Sequence, residues 1–181
     1  MMKALKRYDL WALLLVLVIG WNARGAKLAE AAQSLPVLRV QVALSPAARK
    51  TLMQGRESIT VSASWYGWPV SQKQTSADEV GQINLGRAEI NLPAEGGMAR
   101  FTPQMIKTER LGWLNGCVYV NVNVYSARRH WPDNILACDF IDGVLTDVGR
   151  NPVTLHCSLI SEQVTDPGGG ALTRGCLSRY R

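Results

Sequence analysis

Residues 117–125 read CVYVNVNVY, with valine at every second position from 118 and tyrosine or asparagine between the valines. A period of two is typical of a β-strand that has one buried face and one face in water. A helix would not place these four valines on one side, because its side chains repeat about every 3.6 residues. We therefore predict that this strand lies at the centre of an all-β domain.

Further alternating segments, separated by turn residues, predict strands at 37–44, 57–66, 82–85, 89–92, 98–101, 135–142 and 152–160. Residues 103–111 fit a strand and a short helix equally well, and Asp142-Gly143 could turn the chain. One helix is predicted over 45–55, with Ser45 as its N-cap, Pro46 in its first turn and Gly55 as a left-handed end. Seven or more short strands and one short helix predict an antiparallel β-sandwich of immunoglobulin-like or transthyretin-like architecture.

The N-terminus predicts export. Three basic residues precede ten apolar residues at 10–19, as in a secretory signal peptide, which we assign to residues 1–25. An uncleaved anchor is the alternative, but a membrane-spanning helix needs about 20 apolar residues. Cleavage could follow residue 25 or residue 31. The remaining predicted segments are a loose leader (26–36), the sandwich domain (37–160), and a Gly-rich linker with a basic tail (161–181). We expect a periplasmic or secreted protein without a stable membrane span after cleavage.

Four cysteines in an exported chain predict two disulfide bonds. Cys138 and Cys157 each fall on the apolar face of their own predicted strand, so we expect them to pair in the core. Cys117 falls on the outward face and Cys176 lies in the tail, so the second predicted bond fastens the tail. Four cysteines allow three pairings, and strand parity only favours this one.

Charge and motifs limit the function. From residue 26 onward the chain has 16 Lys and Arg against 13 Asp and Glu, hence +3, which does not favour nucleic acid. The sequence has neither a Gly-x-Ser-x-Gly elbow nor a Gly-rich phosphate loop. His130 and His156 are isolated, and Asp139, Asp142 and Asp147 fit solvated turns better than a calcium or acid–base site. We predict no enzyme activity, metal or cofactor.

The most distinctive polar segment is Arg128, Arg129, His130 and Trp131. Arginine and tryptophan are enriched where proteins bind each other. Tyr66 and Trp68 form a second aromatic cluster at a strand end. If the two clusters met, they would form a binding edge. The alternative is that these aromatic side chains cover the rim of the core.

Segments 44–48, 61–67, 121–128 and 132–139 resemble an uncharacterised family of exported bacterial β-sandwich proteins. The resemblance covers about residues 37–160 and implies no catalytic residues. Cys138 and Cys157 fit the family pattern, whereas Cys117, Cys176 and the tail are additions. The 5-hydroxyisourate hydrolases among transthyretin-like proteins end in Tyr-Arg-Gly-Ser, a signature that this chain, ending SRYR, does not share.

Three functions remain as hypotheses. The first is a non-enzymatic binding protein whose partner is a protein or another component of the bacterial envelope. The second is an inhibitor of a secreted or cell-wall hydrolase, with a loop in the target cleft. The third is a hydrolase with an unrecognised site, which a deep pocket holding His130 or His156 beside a carboxylate would indicate.

Overall fold

The described part of the chain forms eight strands in two sheets. A computed structural model describes residues 35–165. Residues 1–34 and 166–181 lie outside the described range, and with them the predicted signal peptide, nearly all of the leader and most of the linker and tail. The helices are α1 (Pro46–Gln54) and α2 (Leu145–Val148), and single 3-10 segments lie at Ser71–Ser76, Pro103–Met105, Thr108–Trp113 and Ile160–Thr165. The strands are β1 (Leu38–Leu44), β2 (Ile59–Gly67), β3 (Ile83–Leu92), β4 (Gly97–Phe101), β5 (Tyr119–Ser126), β6 (Leu136–Cys138), β7 (Ile141–Val144) and β8 (Val153–Leu159).

The valine ladder lies where the sequence predicts it. β5 is an inner strand of the second sheet, whose order is β3-β2-β5-β7. All four valines are buried, and the side chains between them face outward. Trp65 on β2 meets Phe101 on β4 edge to face, with ring centroids 5.9 Å apart, so the core lies between the two sheets. Each valine removed from water contributes about 1.5–3 kcal/mol, so this ladder anchors the second sheet to the core.

The first sheet, with the order β4-β1-β8-β6, corrects the prediction of a purely antiparallel sandwich. β1 and β8 pair in parallel, so this sheet is mixed. The reason is the path of the chain after β7. Gly149 lies so close to Pro36 that a Cβ on it would stand 2.5 Å from Pro36 Cγ. Since Pro36 precedes β1 and Gly149 precedes β8, both strands begin at the same end of the sheet and run in the same direction. A second short helix, α2, on this path adds to the single predicted helix.

The core disulfide is confirmed. Cys138 and Cys157 are register partners on β6 and β8, and their sulfur atoms are bonded at 2.05 Å. Cys117 is also disulfide-bonded. The predicted Cys117–Cys176 bond involves a residue outside the described range. Disulfide bonds are typical of oxidising compartments, so a location outside the cytoplasm fits this fold.

Two strand predictions were wrong. The segment 135–142 is two strands, because β6 lies in the first sheet and β7 in the second. The chain crosses between the sheets at Phe140, which is 47% exposed although it continues the every-second-residue apolar pattern of Leu136 and Cys138. Asp142 and Gly143 lie within β7 and form no turn. Segments 82–85 and 89–92 belong to one strand, β3, in which a bulge at Gly86 (φ 121°) shifts the register.

Helix α1 begins as predicted and ends differently. The Ser45 side chain accepts a hydrogen bond from the Ala48 N–H, and Pro46 lies in the first turn. Gly55, however, has right-handed helical angles, and the left-handed residue is Arg56, with φ 49°. Glycine is required at position 55 for a different reason, because a Cβ there would overlap the Trp131 ring from a distant loop. In the described part of the chain, no helix has the length and apolar character needed to cross a membrane.

Candidate functional site

The segment between β5 and β6, residues 127–135, is called the basic loop below. Its two ends are held together by Asn134. The Asn134 Oδ1 atom accepts hydrogen bonds from the N–H of Ser126 at 2.9 Å and of Leu136 at 3.1 Å. The Ser126 hydroxyl in turn accepts the Ile135 N–H at 3.1 Å. The loop therefore has a closed base, even though it contains no regular structure.

A buried carboxylate holds the loop from inside. Glu57 is 2% exposed, and its Oε2 atom accepts the backbone N–H groups of Arg129 and His130, both at 2.8 Å. Its Oε1 atom accepts the Ser58 N–H at 2.9 Å. Burial acts to raise the pKa of Glu57, but these hydrogen bonds to the ionised form outweigh it and hold the pKa below its usual value. Glu57 thus stays charged and fixes the backbone of the loop.

Trp131 is fixed by packing rather than presented to solvent. Its half-buried ring lies on Gly55, where a Cβ would stand 2.7 Å from the Trp131 Cζ3 atom. The His130 ring meets the indole edge to face, with centroids 4.5 Å apart. This placement favours the interpretation in which the indole covers the rim of the core, while the side chains of residues 128–130 are exposed to solvent.

The exposed side chains at this end are mainly cationic. Arg128 and Arg129 are exposed, and Arg56 is exposed directly before the buried Glu57. The Arg128 guanidinium lies 5.9 Å from the centre of the Tyr125 ring, a cation–π distance that orients the side chain. Asp133 is the one exposed acidic residue of the loop. We call Arg56, Arg128, Arg129 and His130 the basic end.

The two aromatic clusters do not meet, so they do not form the common binding edge that the sequence left open. In the antiparallel pair of β2 and β5, Ile59 lies opposite Ser126 and Tyr66 lies opposite Tyr119. The basic loop follows Ser126, so Tyr66 and Trp68 lie at the other end of β2. Seven residues of strand separate the two ends, which is roughly 23 Å at about 3.3 Å per residue. Trp68 is 46% exposed at that far end, and the structure brings it to none of the loop residues.

Tyr66 instead belongs to a polar group that the sequence did not reveal. Its hydroxyl donates a hydrogen bond to Asp142 Oδ1 at 2.7 Å, and its ring stacks on Tyr119 with centroids 5.4 Å apart. Burial raises the pKa of Tyr66, and the hydrogen bond to Asp142 raises it further, so the phenol remains a donor. Ser64 and Asn121 lie beside this pair. The sequence feature that could have indicated this polar group is the set of small polar residues that alternate with the apolar residues of β2 and β5.

The two histidines are not in a deep pocket with a carboxylate. His156 Nδ1 does lie 3.2 Å from Asp139 Oδ2, but the histidine side chain is 75% exposed. Water therefore surrounds this pair. Within residues 35–165, no group of three or more His, Cys, Asp and Glu side chains is placed to hold a metal ion.

Comparison of the chain with protein-family models, with curated proteins and with solved structures found no match. The resemblance to exported bacterial sandwich proteins therefore stays a prediction.

Proposed function

We propose that this protein is a non-enzymatic binding protein of the bacterial envelope, exported to the periplasm or beyond, and that its basic end binds an acidic surface of a protein or another envelope component. The observation that carries the proposal is the contact between Glu57 and the backbone of Arg129 and His130. A buried carboxylate is used here to hold a loop whose own arginine side chains remain exposed.

A held loop is favourable for binding. A loop that is already ordered loses less conformational entropy when a partner docks, so more of the contact energy appears as affinity. Arg128 and Arg129 can each donate several hydrogen bonds to carboxylate or phosphate oxygens in a planar geometry. The acidic character of the proposed partner follows from these exposed arginines, against which the loop sets only Asp133.

Affinity capture from an extract of exported proteins tests this proposal. The immobilised baits are the unaltered protein, Arg128→Gln/Arg129→Gln, and Arg100→Gln/Lys107→Gln as the control. Both pairs remove two exposed positive charges, but Arg100 and Lys107 lie away from the basic loop. We expect a partner that the unaltered protein and the control retain and that the loop variant loses. Retention should fall as salt screens the charges. Equal capture by all three baits would contradict the proposal.

The same loop supports a second candidate, inhibition of a secreted or cell-wall hydrolase. The specific observation is that Asn134 closes the base of the loop while Glu57 holds its interior, so that the loop can enter a cleft with little reordering. Residual activity across a panel of lysozymes tests this candidate. The Arg128→Gln/Arg129→Gln variant should no longer inhibit. Lysozyme activity that is unchanged by micromolar unaltered protein would rule out this candidate.

A further inference from the structure

A polar cavity of about 250 Å³ lies on the outward face of the second sheet. It is located toward the end of β2 that carries Tyr66, away from the basic end, and it is independent of the function proposed above. Its volume is below the range of about 300–1,000 Å³ that drug-sized ligands occupy, so it suits one small molecule. Its lining side chains include Ser64, Tyr66, Asp78, Asn84, Asn121 and Asp142.

The floor of the cavity results from strand register. Ser64 lies opposite Asn121, and Asn121 lies opposite Asp142, so three short polar side chains form one row across β2, β5 and β7. In the next row Tyr66 lies opposite Asn84 on one side and Tyr119 on the other. The short row between longer neighbours leaves a depression.

The loop before β3 supplies one wall. Asp78 precedes the strand, and its Oδ1 atom accepts the backbone N–H groups of Val80 at 3.1 Å and Gln82 at 2.8 Å. These bonds fix the carboxylate of Asp78, which lines the cavity. The wall is therefore set by a local turn, whereas the floor is set by pairing between distant strands.

The lining offers a ligand both hydrogen-bond acceptors and hydrogen-bond donors. One oxygen of Asp142 accepts the Tyr66 hydroxyl, and the other has no hydrogen-bond partner among the described residues. The hydroxyl of Ser64 likewise has no partner in the described part of the chain. The side-chain oxygen of Asn84 already accepts the Gly86 N–H at 2.9 Å, and that of Asn121 accepts the side-chain amide of Asn123. The NH2 groups of Asn84 and Asn121 therefore remain as donors. A ligand that fits this lining must present O–H or N–H donors to Asp142 and acceptors to the two amide groups, and hydroxyl groups supply both.

The charge of the cavity is negative. Asp78 and Asp142 are both carboxylates, and none of the described lining residues is Lys, Arg or His. Arg87 lies opposite Ser64 in the register, but its guanidinium is directed to Glu89, at 2.8 Å, and to the hydroxyl of Ser62, at 3.0 Å. Anionic ligands are therefore disfavoured, and a ligand with one positive charge is favoured.

We propose that this cavity binds a single amino-sugar ring, whose hydroxyl groups pair with Ser64, Asn121 and Asn84 while its ammonium group pairs with the unengaged oxygen of Asp142. An amino sugar is the class that combines several hydroxyl donors with one positive charge in a compact ring. The ring of Tyr66 borders the cavity and supplies an apolar face for the carbon atoms of the sugar.

Titrations followed by backbone amide NMR test the proposal with three probes at about pH 6, where an amine is protonated. Glucosamine has hydroxyl groups and charge, glucose has hydroxyl groups alone, and cyclohexylamine has charge alone. We expect glucosamine at millimolar concentration to shift the amide signals of residues 64, 84, 121 and 142. Glucose and cyclohexylamine should each bind at least about tenfold more weakly, which corresponds to about 1.4 kcal/mol.

Two variants localise the binding. Asp142→Asn removes one charge while leaving an oxygen for the Tyr66 hydroxyl, and it should weaken glucosamine binding by about tenfold, which corresponds to about 1.4 kcal/mol. Glu95→Gln removes a charge from an exposed turn outside the cavity and should leave binding unchanged. Circular dichroism and thermal unfolding establish that both variants are folded. The proposal is overturned by absent or scattered shifts with glucosamine, by equal shifts with all three probes, or by an equal effect of the two variants.

Discussion

The two ends of the second sheet use carboxylates in opposite ways. At the basic end, Glu57 is buried, and both of its oxygens accept hydrogen bonds from backbone N–H groups of the protein itself. At the far end, Asp142 is half-exposed, and only one of its oxygens is engaged by a described residue, Tyr66. One carboxylate therefore serves the shape of a loop, while the other remains available to a ligand.

At the basic end, the residues that position the loop differ from those that would contact a partner, whereas at the far end the same residues do both. The basic end exposes arginine side chains, whereas the residues that position the loop are buried (Glu57) or half-buried (Asn134 and Gly55). At the far end the hydrogen-bonded pair of Tyr66 and Asp142 itself lines the cavity. We therefore expect substitutions to affect stability strongly at the basic end and more weakly at the far end.

The largest effect is expected for Glu57→Ala. The substitution leaves the N–H groups of Ser58, Arg129 and His130 without their acceptor, and we expect it to lower the free energy of unfolding by about 3 kcal/mol. Denaturant unfolding measures the loss. Glu95→Ala, on an exposed turn, is the control and should change stability by less than about 0.5 kcal/mol. Equal stability of the two variants would show that Glu57 does not hold the loop.

Gly55→Ala should have the next largest effect, about 2 kcal/mol, because the added methyl group overlaps the Trp131 ring. Near-ultraviolet circular dichroism should show a changed aromatic environment, and denaturant unfolding should show the lower stability. Gly112→Ala is the matched control, since a Cβ at Gly112 would meet no atom within 4 Å. If Gly55→Ala unfolds like this control, Trp131 does not rest on Gly55.

Tyr66→Phe is expected to cost about 1 kcal/mol, because it removes one hydrogen bond at a half-exposed site. The aromatic stack on Tyr119 remains in this variant. Tyr119→Phe serves as the control, since the Tyr119 hydroxyl makes no hydrogen bond to another residue in the described range. A loss as large as that of Glu57→Ala would erase the proposed difference between the two ends.

The smallest expected effect is on stability at acidic pH and also involves Glu57. The pKa of Glu57 is lower in the folded protein than in the unfolded chain, so its ionisation stabilises the fold above the unfolded pKa of about 4.3. This contribution is lost as the pH falls from that value through the lower folded pKa. Unfolding free energies measured across this range should fall less steeply for Glu57→Gln than for the unaltered protein. Parallel curves would contradict the assignment.

The sequence predicted what depends on local patterns. The valines of β5, the Ser45 cap and the pairing of Cys138 with Cys157 all follow from parity or from short motifs. The mixed sheet could not be predicted, because the parallel pairing of β1 and β8 depends on residues more than a hundred positions apart. The break at Phe140 was missed because the apolar alternation continues through it while the chain changes sheets.

The candidate sites show the same limit. Arg128 and Arg129 were recognised by composition, and they are exposed as a binding surface requires. Glu57 was read only as the start of a strand, because its partners lie about seventy residues away. Whether Trp68 lies near Trp131 could not be decided from the sequence, because it shows where both strands end but not how they pair. The antiparallel register of β2 and β5 places these ends apart.

The central claim is that the basic end is the binding surface, and a titration with an oligoglutamate peptide at low salt tests it most directly. Backbone amide NMR should show shifts centred on residues 56 and 128–130. These shifts should disappear in Arg128→Gln/Arg129→Gln and persist in Arg100→Gln/Lys107→Gln. Shifts centred on other basic residues such as Arg49 and Lys50, or shifts that survive in the loop variant, would contradict the claim.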